Sequence, residues 1–120
     1  MHILLRFLLV FCLAIGSACG FSRDSNPADG IAVTALPPEA QRTLVLIKQG
    51  VPFPYDRDGL TFGNFEKRLP IEKRGFYREY TVKTPGERSR GARRIIAGDQ
   101  PPRLFYYTDD HYQSFRRIRE

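Results

Sequence analysis

The sequence predicts an α+β domain, an N-terminal helix packed on an antiparallel β-sheet. One stretch near residue 40 has helical periodicity, and after residue 75 come four short runs rich in aromatic and β-branched residues. No segment recurs at the spacing of repeat proteins, so the helix must find its partner surface in those strands. The chain has 120 residues, room for one small domain, and a formal net charge of +6.

The first eighteen residues fall outside that domain. They hold one basic residue, Arg6, the apolar run FLLVFCLAI and the small residues GSA before Cys19, the layout of a secretory signal peptide. The run is too short for the roughly twenty residues of a spanning helix. The expectation is an exported protein, secreted or periplasmic, without stable membrane insertion. Lipidation of Cys19 is the less favoured alternative, because Gly16 stands where lipoprotein signals carry a large aliphatic residue. Cys12 lies inside the signal, so the mature chain keeps Cys19 alone and can form no internal disulfide. Residues 19–30, rich in turn formers, read as a flexible leader, and the folded domain is expected over 31–120.

In LPPEAQRTLVLIKQG, prolines stand at the entrance, Ala40, Leu44 and Ile47 share one face, and Gly50 supplies a stop. FPYDRDGL reads as a loop. Phe76 to Val82, Ala92 to Ala97, Arg103 to Thr108 and Gln113 to Ile118 read as strands, with Phe76, Tyr80, Tyr106 and Tyr107 as core or sheet-face residues. A hairpin centred between Gly86 and Glu87 would set Glu79 directly opposite Arg94 on one face.

That pair lies beside RSRGARR, four arginines in seven positions. An excess of arginine on an exported domain suggests a polyanionic partner: RNA, DNA or anionic lipid. On their own, a cross-strand Glu–Arg pair is a modest surface ion pair, His111 in a turn is an exposed side chain, and TFGNFE is an ordinary turn.

Taken together, LPPEAQRTLVLI, GVPFPYDRDGLTFGN-FE, YREYTV-TPGERSRGARRII and YYTDDHYQSF-RIR occur in one order between Ala35 and Arg119, and this stretch resembles the bacterial guanyl-specific ribonucleases, the family of barnase. The resemblance implies the microbial ribonuclease fold and metal-free, cofactor-free cleavage of single-stranded RNA after guanosine. It implies Glu79 as general base, His111 as general acid, and Arg90 and Arg94 on the phosphate. It also implies a guanine site made by Glu66, by the main chain at Gly63, Asn64 and Phe65, and by the rings of Phe62 and Tyr112. Arg88 and Arg93 match no catalytic position and are expected to face water. This chain carries Phe65 where many relatives have Arg, and Gly63 where they have Ser or Gln. Further expectations are a monomer and, as a candidate partner, a small acidic barstar-like inhibitor. The alternative from another class is a basic RNA-binding or cell-envelope module that keeps the fold without turnover; it has no need of Glu79 and His111 together.

Overall fold

The protein is described by a computed structural model covering residues 30–50 and 52–120. The expected signal peptide (1–18) and all of the expected leader except Gly30 lie outside the described residues. Gly30 rests against the main chain of Arg117.

Strand β1 (Ile31–Ala32) leads through a short 3-10 turn into helix α1 (Pro38–Gln49). Pro38 enters the helix where a missing N–H costs nothing, Glu39 stands in the first turn and Lys48 in the last, matching the helix dipole. Gly50 ends it in the left-handed region at φ 68°, its N–H reaching back to the Leu46 carbonyl at 2.9 Å.

Strands β2 (Leu60–Thr61), β3 (Tyr77–Thr81), β4 (Arg94–Gly98), β5 (Leu104–Thr108) and β6 (Arg116–Arg119) complete a six-stranded sheet ordered β1-β6-β5-β4-β3-β2. Each of the four expected runs contains a strand, though β4 begins two residues later than expected and β6 three, since Gln113, Ser114 and Phe115 precede it. The sheet departs from a pure antiparallel meander at β1, which pairs parallel with β6. Leu60, expected in a loop, opens β2.

Strand parity divides the sheet. On one face Tyr80, Val82, Ile95, Ala97, Phe105, Tyr107 and Ile118 close over Ala40, Leu44 and Ile47, the predicted helix face, and over Leu36 just before the helix. Side chains this buried contribute roughly 1.5–3 kcal/mol each for a Leu, Ile or Val. On the other face Leu69, Tyr77, Ile96 and Tyr106 form a second cluster. That face carries buried polar groups instead of a second helix: Glu79, Thr81, Arg94 and Thr108 are all under 9% exposed.

The β3–β4 register corrects one expectation. Arg94 lies opposite Thr81, and Glu79 lies opposite Ile96. The hairpin is therefore centred between Glu87 and Arg88, one position later than the sequence suggested, and every pairing moves by two residues. A two-residue shift preserves the face, so Glu79 and Arg94 remain on the same side as diagonal neighbours. Arg93 points to the helix side, where its guanidinium lies 3.8 Å from Glu39. It is half-buried and paired, so only Arg88 of the two arginines expected to face water is exposed.

Candidate active site

The polar face of β3 and β4 begins with a carboxylate whose two oxygens are treated differently. Glu79 Oε1 accepts a hydrogen bond from the Tyr112 hydroxyl, and that hydroxyl in turn accepts from Arg94 Nε at 3.0 Å. Glu79 Oε2 accepts no hydrogen bond from the described residues and faces Arg57 Nη2 at 3.8 Å. Arg94 thus reaches Glu79 through a tyrosine. Its Nη1 donates to the Gly91 and Arg93 carbonyls at 3.0 and 2.8 Å, which fixes a guanidinium that is 2% exposed. A buried charge is tolerable only when so bonded.

Arg90 is aimed differently. Its Nε donates to Thr81 Oγ1 at 3.1 Å, while its buried Nη2 has no hydrogen-bond partner. An unpartnered cationic N–H beside an open cleft is costly unless an anion fills it.

His111 comes from the β5–β6 turn. His111 and Tyr112 both have positive φ, 59° and 75°, which non-glycine residues adopt at a cost of about 1 kcal/mol or more each. Asp110 holds them there: its carboxylate accepts from the Ser114 hydroxyl at 2.6 Å, the Thr108 hydroxyl at 2.8 Å and the Ser114 and Gln113 amides at 3.0 and 3.1 Å. These bonds, the Ser114 hydroxyl foremost, lower the Asp110 carboxyl to about 2. The His111 N–H donates to the Ala92 carbonyl at 3.1 Å, tying the turn to the chain entering β4.

The recognition loop follows β2. Asn64 sits in the left-handed region at φ 54°, a conformation that asparagine adopts more readily than most residues. Its side chain donates to the Leu69 carbonyl at 3.0 Å and accepts from the Leu69 N–H at 3.1 Å, so it braces the loop. The N–H groups of Gly63, Asn64 and Phe65 donate to no protein acceptor among the described residues. Glu66 is exposed and hydrogen-bonded to Arg68. The Phe65 ring, in a residue 84% exposed, folds back over Gly63, where any Cβ would collide with it.

These parts enclose one open cleft of about 350 Å³. Glu79, Arg90, His111, Tyr112 and residues 62–66 all line it. Arg94 does not; it stands behind Tyr112. Tyr112 was expected to offer a free aromatic surface, but its ring is stacked on Phe62 with centroids 5.2 Å apart, and its hydroxyl belongs to the Glu79 network. Burial, then the Glu79 hydrogen bond, push that hydroxyl's pKa above its usual 10.0. Arg57, Arg68 and Phe115 also line the cleft and were not singled out from the sequence; no periodicity or spacing marks them. A hydrogen-bond-free carboxylate oxygen, an imidazole and an incompletely hydrogen-bonded guanidinium lining one cleft suit proton transfer on an anionic substrate. Among the described residues no cluster of three His, Cys, Asp or Glu could hold a metal ion.

Comparison with known proteins identifies the family. A ribonuclease family model matches residues 22–119. Guanyl-specific ribonuclease Sa3 of Kitasatospora aureofaciens is 54% identical over 88 residues, 73% of this chain and 62% of its own length, so the chain spans less than two thirds of that relative. Guanyl-specific ribonuclease Sa of the same organism is 52% identical over 73% of this chain and 91% of its own. Guanyl-specific ribonuclease St of Saccharopolyspora erythraea is 47% identical over 82% of this chain and 92% of its own. Among solved structures, ribonuclease Sa2 in complexes with mononucleotides superposes with a TM-score of 0.72 at 44% identity, over 75% of this chain and 92% of that one. Ribonuclease Sa2 with guanosine-2'-cyclophosphate gives 0.69 at 45% identity, over 74% and 92%. With the sequence and fold comparisons in agreement, the chain belongs to the bacterial guanyl-specific ribonuclease family.

Proposed function

We propose that this protein is an endoribonuclease that cleaves single-stranded RNA after guanosine through a 2′,3′-cyclic phosphate. The observation that carries the reading is one cleft lined together by Glu79, His111 and Arg90, whose Nη2 has no hydrogen-bond partner. Glu79 takes the proton of the ribose 2′-OH through Oε2, the oxygen that Tyr112 leaves free. The 2′-oxygen attacks phosphorus, and His111 protonates the departing 5′-oxygen. Water then opens the cyclic phosphate as the two roles reverse. Arg90 faces the charge that grows on the phosphate oxygens, and Arg94 holds Tyr112 and, through it, Glu79 in place.

Glu66 reads guanine through N1–H and the exocyclic amine, a donor pair that adenine lacks. The free main-chain N–H groups at Gly63, Asn64 and Phe65 serve O6, and the exposed Phe65 ring offers a stacking surface. The signal-like residues 1–18 support export, to the outside of the cell or the periplasm, with an uncoupled Cys19 as a lesser anchor site. The cationic cleft suits a small acidic inhibitor as a partner, and the domain acts as a monomer.

Incubation of the protein in EDTA with GpC, ApC and deoxy-GpC tests the reading. The expected outcome is cyclic phosphate from GpC alone. Equal cleavage of ApC would remove the assignment of Glu66, and cleavage of the deoxy substrate would remove the 2′-OH mechanism.

A further inference from the structure

Arg57 lies in the loop before β2, far in sequence from the basic run, yet its guanidinium is the one ion-pair partner of Glu79 among the described residues. Neither Arg90 nor Arg94 pairs with that carboxylate: Arg90 donates to Thr81, and Arg94 to Tyr112 and two carbonyls.

The geometry does not suit a structural salt bridge. At 3.8 Å the pair is looser than a hydrogen bond, and the Arg57 side chain is 61% exposed while that of Glu79 is 8% exposed. A pair so loose and half-solvated adds about 0–1 kcal/mol to stability. No hydrogen bond to a described protein acceptor commits the Arg57 side chain. Arg68, which also lines the cleft, is occupied by Glu66. The cleft is thus lined by two guanidinium groups with uncommitted donors, the Thr81-anchored Arg90 and the exposed Arg57, with the Oε2 atom of Glu79 beside the second.

We propose that Arg57 is a second phosphate-binding guanidinium of the cleft, beside Arg90. With no substrate present it faces Glu79 Oε2; with a phosphodiester bound between Glu79 and His111, it shares the phosphate oxygens with Arg90. This rests on the ribonuclease reading for its substrate, but the anion site itself can be tested without turnover. Because charge on the phosphate grows toward the transition state, loss of Arg57 acts on kcat as well as KM.

The test compares Arg57→Gln and Arg57→Lys with Arg88→Gln, an exposed arginine of the β3–β4 loop, in GpC cleavage and in binding of 3′-guanylate by titration calorimetry. Arg57→Gln should lower kcat/KM about tenfold with part of the loss in kcat, and weaken 3′-guanylate severalfold. Arg57→Lys should recover part of both, and Arg88→Gln should stay within about twofold, all with unchanged melting temperatures. If Arg57→Gln matches Arg88→Gln in both readouts, the proposal is wrong while the ribonuclease reading stands. If wild type fails to cleave GpC, the ribonuclease reading falls, and the 3′-guanylate arm alone decides whether Arg57 binds phosphate.

Discussion

Tyr112→Phe removes one oxygen atom and leaves the ring that stacks on Phe62. That oxygen donates to Glu79 Oε1 and accepts from Arg94 Nε. A hydrogen bond to a charged group contributes about 1.5–3 kcal/mol. Glu79 can regain water from the open cleft, so its loss belongs near the lower figure. Arg94 keeps two carbonyl acceptors but is too buried for Nε to find water easily, which adds about 1 kcal/mol. The sum, about 2.5 kcal/mol, corresponds to a drop of roughly 10–20 °C in melting temperature for a domain of this size. The effect has a pH signature. The Tyr112 hydroxyl has a raised pKa in the fold, so its neutral form is the stabilised one. That stabilisation is complete below the ordinary value of 10.0 and is lost as pH rises through the raised value. The gap between wild type and variant should therefore be full at pH 7 and narrow above pH 10, while Tyr77, Tyr80 and Tyr107, also raised, titrate in both proteins and cancel. Urea unfolding at pH 7, 9 and 10.5 measures it. A gap below about 0.5 kcal/mol at pH 7, or one that does not change with pH, would refute the bridging role.

Asp110→Ala should cost about 1–2 kcal/mol, as loss of a capping carboxylate does, and lower kcat by freeing His111. Because the Asp110 carboxyl is lowered to about 2 in the fold, its contribution is present above the ordinary 3.8 and lost as pH falls through about 2, so acid unfolding of the variant and wild type should converge there. Gly63→Gln should leave stability within about 0.5 kcal/mol but raise KM for GpC severalfold, since any Cβ displaces the Phe65 ring. The same change in a Phe65→Arg background should be close to neutral, and a double-mutant cycle in KM would expose the coupling.

How far the sequence could be read depends on which contacts are local. The helix face Ala40, Leu44 and Ile47 follows from spacing alone, and all three are core residues. Strand parity is equally local, so Glu79 and Arg94 were placed on the correct face. Their separation was not, because it depends on how the β3–β4 loop divides its residues between two arms, which no period-two pattern records. The two-residue strands β1 and β2 are too short to carry a pattern and exist only through β6 and β3. Likewise the hydroxyl of Tyr112 and the guanidinium of Arg57 meet Glu79 through tertiary packing between loops. The two departures from the family pattern, Gly63 and Phe65, are two residues apart, and the sequence does not show that they are linked. In the fold they are one change, a ring resting where a side chain would otherwise stand.

The acid–base assignment is tested most directly by the turnover of Glu79→Gln and His111→Ala on GpC, with 3′-guanylate binding as the check that the cleft survives. Each substitution should lower kcat at least a hundredfold, and the double variant should fall little further than the worse single one. Turnover within tenfold of wild type in either variant, with binding retained, would contradict the account.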